Sequence, residues 1–324
     1  MLKLEDIYRL AVDAGIEADQ RPREEIERQL KIERDKFEKL TGREKERFDK
    51  DRLTNPFADC RVLHGELDAE VSSALVGIDI EPAEVLLADR LRSNGQNLDL
   101  VIAHHPSGRA LAALADVMIV GADLWAQQGV PIGQAENVFS GRIKEVQASV
   151  MAANHNRAVD AARLLNIPFM CVHTPADNCV ARFLTETIEN AKPVLLGDIL
   201  DLLLEIDEYS QYASEITGPS IIVGSKESRA GNVFVDMTGG TSGPKDLYAM
   251  IAKSTNISTI VCMHVSQEHK KEIEKHRLNC IVAPHMPSDT LGLNLILDSL
   301  ESQGELSFME CSGFRRVSRP SRLW

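Results

Sequence analysis

Short apolar runs and helical periodicities alternate along most of this chain, and the clearest of the runs is Leu98, Leu100, Val101, Ile102 and Ala103. An almost unbroken apolar stretch of that length is the pattern of a strand covered on both faces in a parallel sheet. A second such strand is predicted over 74–80. Between the two, Glu81-Pro82 opens a helix with proline in its first turn, Val85, Leu86, Ala88 and Leu91 fall on one face, and Gly95 ends it. This β-α-β order predicts parallel strands joined by a right-handed crossover. Residues 109–165 predict mostly helix, with breaks near Gly129-Val130-Pro131 and Ser140-Gly141. A strand over 167–172 follows, and two or three helices cover 177–216. The alternation then resumes, with strands at 220–224, 232–236, 257–263 and 279–283 and helices at 244–253 and 267–276. Leu291, Leu295, Ile296 and Leu300 mark a last amphipathic helix. No repeat at a solenoid period is visible. The pattern predicts an α/β protein with parallel or mixed sheets, built as two alternating blocks, about 70–216 and 217–312, of one domain over 70–312.

Residues 1–60 read differently. Leu4, Ile7, Leu10 and Ala11 have helical spacing, whereas 23–51 is dominated by Glu, Lys and Arg around a sparse stripe of Ile26, Leu30, Phe37 and Leu40, interrupted at Gly42. Opposite charges such as Glu27 and Lys31 predict solvated helices held by local pairs. The stripe is too thin to bury much area alone, so the sharper alternative is an arm that binds a partner. Residues 55–59 read as a linker.

Composition narrows the class. The chain has 324 residues, 44% hydrophobic and 26% charged, enough to bury a substantial core. Its 36 basic and 49 acidic residues leave a net charge of −13, which argues against general nucleic-acid binding. The six cysteines form no C-x-x-C pair, as expected of reduced thiols, and Cys171 and Cys262 sit in apolar runs that predict core. The first 19 residues carry no signal-like apolar region, and no apolar run reaches the ~18 residues of a membrane span. The expectation is a cytoplasmic protein without a membrane segment.

Chemistry concentrates where strands end. Pro106 pushes His105 into an extended conformation and stops the strand, leaving His104 and His105 at its carboxyl edge, where open α/β sheets bind ligands. The strand over 167–172 empties into His173-Thr174-Pro175-Ala176-Asp177, and the strand over 279–283 into Pro284-His285-Met286-Pro287-Ser288-Asp289. Both His-x3-Asp spacings put two side chains about one turn apart at a helix start. Imidazoles mixed with carboxylates suit Zn, Mn, Fe or Ni better than Ca or Mg. Successive strand residues point to opposite faces, so His104 and His105 are better placed to hold two ions side by side than to grip one. The plainer reading gives Asp177 and Asp289 to helix starts and His173 and His285 to backbone hydrogen bonds. The shared layout of three loops favours the metal reading.

Taken together, the acidic strand-helix start from Asp79 to Glu84, His104-His105-Pro106, His173-Thr174 with Asp177, and His285-x3-Asp289 resemble the Nif-three-like family, often labelled GTP cyclohydrolase I type 2 homologues. The resemblance implies two divalent metal ions held by His104, His105, Asp177, His285 and Asp289, with Asp177 or Asp289 bridging. It implies His173 behind the ligands or facing substrate. It further implies a homo-oligomer, a closed ring or dimer. Asp289 stands where the family usually has Glu, a carboxylate one methylene shorter, and Pro284 where Gly is common. Residues 1–60 have no family counterpart, and the helical stretch between His105 and His173 is long. His155 and His269 lie in helical patterns and read as surface residues. The function expected is a metal-dependent hydrolase that activates water for attack on a small nucleotide-like or heterocyclic substrate. The alternative is a non-catalytic metal-binding regulatory or scaffold protein that uses its N-terminal arm. The loop from Gly239 to Gly243 reads either as an anion cradle of backbone amides or as a plain turn.

Overall fold

The computed structural model describes residues 1–319. The chain opens with β1 (Leu2–Lys3) and α1 (Leu4–Ala18), passes through the charged helices α2 (Arg23–Lys39) and α3 (Gly42–Arg47), and reaches β2 (Cys60–His64). A two-residue β3 (Glu70–Val71) pairs antiparallel with β1. The β-α-β unit is β4 (Ser73–Gly77), α4 (Pro82–Ser93) and β5 (Leu100–Ala103). Helices α5 (Gly108–Ala112), α6 (Ile119–Gln127), α7 (Ile132–Met151) and α8 (Arg157–Leu164) lead to β6 (Phe169–Val172) and the long α9 (Thr174–Ala191). After α10 (Leu196–Leu204) and α11 (Asp207–Glu215) comes the second block. It comprises β7 (Ser220–Val223), β8 (Asn232–Asp236), α12 (Leu247–Ser254), β9 (Ile257–Cys262), α13 (Gln267–Lys275) and β10 (Asn279–Val282). Helix α14 (His285–Glu301) and β11 (Ser307–Cys311) follow.

Two sheets result. The larger has the order β11-β4-β5-β6-β2, parallel except for the antiparallel edge strand β2. The smaller has the order β7-β10-β9-β8, again parallel except for the edge strand β7. Strands β4, β5 and β6 are buried throughout, which is why their sequences lack a polar alternation. Side chains alternate between two layers. Val76, Leu100, Ile102, Met170 and Val172 pack beneath α1, α9 and α14. Leu75, Val101, Ala103, Phe169 and Cys171 pack against Val85 and Ala88 of α4 and Ala158 and Ala162 of α8. In the smaller sheet, Val235, Val261 and Ile281 meet the leucines of α10, and Phe234, Ile260 and Cys280 meet Trp125, Phe139 and Ile251.

Several expectations need correction. Helix α1 belongs to the core: Leu4, Ile7, Ala11 and Ile16 lie in the same cluster as the main sheet. Its sequence is amphipathic enough to bury one face, unlike α2, where only Ile26 is buried and ion pairs such as Lys31–Asp35 line the exposed side. Residues 55–59 do not behave as a linker, because Asn55, Phe57 and Asp59 are buried and the segment leads directly into β2. Leu86 points outward at 57% exposure, so the buried stripe of α4 is narrower than expected. Cys262, expected in the core, is only partly buried and lines a cavity.

Helix α7 runs through Ser140-Gly141 without a break. Packing overrides the weak propensity of a single glycine there. A Cβ at Gly141 would meet nothing within 4 Å. Gly141→Ala is therefore expected to raise stability by about 0.5–1 kcal/mol, read as a higher urea midpoint with an unchanged slope.

Candidate metal centre

The parallel strands deliver their ends to one place. Beyond β5, the backbone N–H groups of His104 and His105 still bond the carbonyls of Gly77 and Ile78, each at 2.9 Å. These bonds fix both imidazoles at the sheet's carboxyl edge. Strand β6 ends beside them and turns at His173 into α9, whose first turn carries Asp177. Strand β10 arrives from the other sheet and turns through Pro284 into α14, which begins at His285 and carries Asp289 one turn later. Helices α9 and α14 cross closely, since a Cβ at Gly292 would sit 2.4 Å from the carbonyl oxygen of Ala176. That crossing brings Asp177 and Asp289 into one site.

All six residues singled out from the sequence meet there. His104 Nε2 lies 3.4 Å from Asp289 Oδ1 and 3.5 Å from Asp177 Oδ1. His105 Nε2 lies 3.4 Å and His285 Nε2 3.3 Å from the other oxygen, Asp289 Oδ2. His173 Nε2 is 4.0 Å from Asp177 Oδ2. The donor atoms of His104, Asp177 and Asp289 all lie within 4.8 Å of one another, as do those of His105, His285 and Asp289 and those of His104, His105 and His173. Each of these groups could hold a metal ion, and Asp289 belongs to two of them.

Hydrogen bonds behind the cluster select the ring nitrogen that faces it. His104 Nδ1 bonds the carbonyl of Val172 at 3.2 Å, so it carries the proton and Nε2 presents a lone pair. His105 Nδ1 bonds Asp79 Oδ1 at 2.6 Å, and His173 Nδ1 bonds Asp59 Oδ2 at 2.8 Å. Carboxylates behind imidazoles in this way orient metal-binding histidines and raise their basicity. On the inner side, His104 Nε2 and both oxygens of Asp289 are buried without a hydrogen-bond partner among the described residues. A lone pair facing a carboxylate in a buried site costs free energy unless a cation lies between them. The donor set therefore fits a metal ion.

Electrostatics agree. Burial drives His104 down to about 4, leaving it neutral at physiological pH. For His105, burial opposes the charge, but Asp289 and Asp79 outweigh it and lift the imidazole to about 10. Burial raises Asp177 to about 7. Burial would also raise Asp289, yet His104, His105 and His285 hold it well below the usual carboxylate range. The ionised Asp289 is thus the negative centre around which the imidazoles gather.

Asp59 and Asp79 complete the arrangement, and only Asp79 lay in a stretch that the sequence marked. Asp59 is fully buried and also accepts a hydrogen bond from the Thr174 hydroxyl at 2.7 Å. It lies in the 55–59 stretch that reads as a linker, which carries no signal of a buried carboxylate. The cluster opens into a cavity of about 340 Å³. His105, His173, Asp177 and His285 lie at one end, and the loop from Gly239 to Gly243 and Tyr248 line the rest. His269, read as a surface residue, lines this cavity and packs edge-on against Tyr248 at 5.7 Å. His155 lies elsewhere and bonds the carbonyl of Val150.

No family model and no curated protein matches the chain. Solved structures do match it. The chain is similar to a NIF3 superfamily protein from Sphaerobacter thermophilus, with 29% identity and a TM-score of 0.70 over 79% of this chain and 92% of that one. Reduced HcgD from Methanocaldococcus jannaschii matches at 14% identity and a TM-score of 0.47, over 78% of this chain and 87% of that one. A protein from Thermus thermophilus, TTHA1606, matches at 16% identity and a TM-score of 0.45, over 82% and 89%. Among the described residues, no helix is long and apolar enough to cross a membrane.

Proposed function

From the premise that this chain is a NIF3-like protein, we propose that it is a divalent-metal-dependent hydrolase with a dinuclear centre, acting on a small nucleotide-like or heterocyclic substrate. The observation that carries this reading is Asp289: its two unpartnered oxygens face different imidazoles, Oδ1 toward His104 and Oδ2 toward His105 and His285. One ion would be held by His104, Asp177 and Asp289, the second by His105, His285 and Asp289, with Asp289 shared. The start of α14 at His285, which carries Asp289 one turn later, supports this role for the shorter side chain. Ions so held would supply Lewis acidity, polarising a carbonyl or phosphoryl oxygen and making water acidic enough to attack near neutral pH.

The protein's own groups divide the remaining work. Asp79 and Asp59 fix the rings of His105 and His173, and the Val172 carbonyl fixes that of His104. His173 reaches the cavity beside Asp177 and is placed to hold or pass a proton at Nε2. The cavity admits a small molecule and is too confined for a folded partner.

Elemental analysis of the purified protein, followed by turnover assays on nucleotides, phosphoesters and cyclic amides against His104→Ala, tests the proposal. Turnover that survives quantitative metal removal would end it. Metal bound without turnover on any class would favour the scaffold reading. Asp79→Asn is expected to weaken metal affinity about 10–100-fold by releasing the His105 ring. Competition with a chelator measures that loss, and an unchanged affinity would remove Asp79 from the site.

A further inference from the structure

The cavity carries a carboxylate, Asp236, that the proposed chemistry does not use. Asp236 ends β8 opposite Cys262 of the parallel neighbour β9, and two residues beyond Cys262 the ring of His264 packs on His285 at 5.3 Å. Asp236, Cys262, His264 and His285 all line the same cavity, so its space runs unbroken from Asp236 to the cluster. Strand alternation puts Asp236 on the face of Phe234, above the aromatic group that includes Trp125 and Phe139.

We propose that Asp236 is a recognition subsite for a nitrogen donor group, an amine, amidine or guanidine, on a small planar molecule whose other end meets the histidine–aspartate cluster. The role of the cluster end rests on the hydrolase reading above; the subsite does not.

Three observations support it. Asp236 makes no hydrogen bond or ion pair among the described residues, and burial alone pushes its carboxyl up to about 6. A recessed carboxylate without donors has lost hydration with nothing in return, and a ligand's N–H groups restore what is missing. Second, no Lys or Arg is among the residues lining the cavity, although Arg142 Nε bonds the Ser242 carbonyl of its loop at 3.2 Å. Asp236 is thus the charged lining group beside Tyr248, and it favours a cation over an anion. Third, Trp125, Phe139 and Tyr248 line the cavity near this carboxylate and suit a flat, delocalised group.

Titration calorimetry with benzamidine as the cationic probe and benzamide as its neutral isostere tests the subsite on the full chain, metal-free and metal-loaded. Saturable benzamidine binding is expected in both states, at least tenfold weaker for benzamide and for Asp236→Asn. His104→Ala should bind benzamidine as the wild type does, even while losing metal. Equal affinity in wild type and Asp236→Asn would overturn the proposal, as would the absence of saturable binding to the wild type. A melting scan at pH 7.5 checks the variant's fold. Removing an unpartnered carboxylate should leave its melting temperature at or above that of the wild type, and a lower value would assign Asp236 a structural role instead. A protein that takes up no metal but binds benzamidine through Asp236 would refute the hydrolase reading and leave the subsite standing.

Discussion

Asp289→Ala is expected to remove most of the rise in melting temperature that the proposed divalent metal would give the wild-type protein. Two of the three donor groups in the cluster pass through this residue, and the remaining one, His104, His105 and His173, has no carboxylate. At a free metal concentration a hundred times the dissociation constant, one site stabilises the native state by about 2.7 kcal/mol. Without Asp289 that increment should shrink for Zn, Mn, Fe and Ni, least for Zn, which three histidines can still hold, and metal content by elemental analysis should fall with it. In the proposed hydrolysis, turnover should drop by at least about a hundredfold, because Lewis-acid assistance is worth several kcal/mol and each 1.36 kcal/mol is a decade in rate. A variant that keeps both its metal and its metal-dependent stabilisation would show that Asp289 only shapes the start of α14.

Gly292→Val is expected to cost about 3 kcal/mol or more of stability. A Cβ at this position would lie 2.4 Å from the backbone oxygen of Ala176, and backbone on both sides leaves no flexible end to yield. Overpacking of this kind typically costs 1–3 kcal/mol, occasionally more, and a β-branched side chain enlarges the clash. The helices must part, and the parting falls where Asp177 follows Ala176 and Asp289 precedes Gly292 by less than a turn. Metal affinity should therefore fall together with the denaturant midpoint, although Gly292 touches none of the donor atoms. A variant with a wild-type midpoint would mean that α9 and α14 do not cross as described.

What the sequence made legible, and what it hid, follows from how far each signal reaches along the chain. His104 and His105 were readable because the apolar run before them and Pro106 after them are local marks of a strand ending in one place. His173 and His285 repeat that local layout, and the strand ends do converge. The parallel pairing of β4 with β5 followed from a single β-α-β unit. Asp59 was hidden because its partner His173 lies 114 residues away, across the antiparallel β2–β6 edge that no local pattern announces. Strand β11 was missed for the same reason, since it joins the sheet beside β4 from the far end of the chain. Gly141 misled because an exposed glycine in a long helix looks the same in sequence as one that ends it. The reach of Asp289 was not legible either. It depends on where α14 begins, and boundaries are the least determined part of any periodic pattern.

Helix α14 leaves the smaller sheet at β10, yet Leu293, Ile296, Leu297 and Leu300 seat it on the larger one, while Leu291 remains with the smaller. That seating puts His285 and Asp289 in the same packed body as His104, His105 and Asp177, so the spacing of the candidate ligands is set by the core of the larger sheet and not by how the two sheets meet.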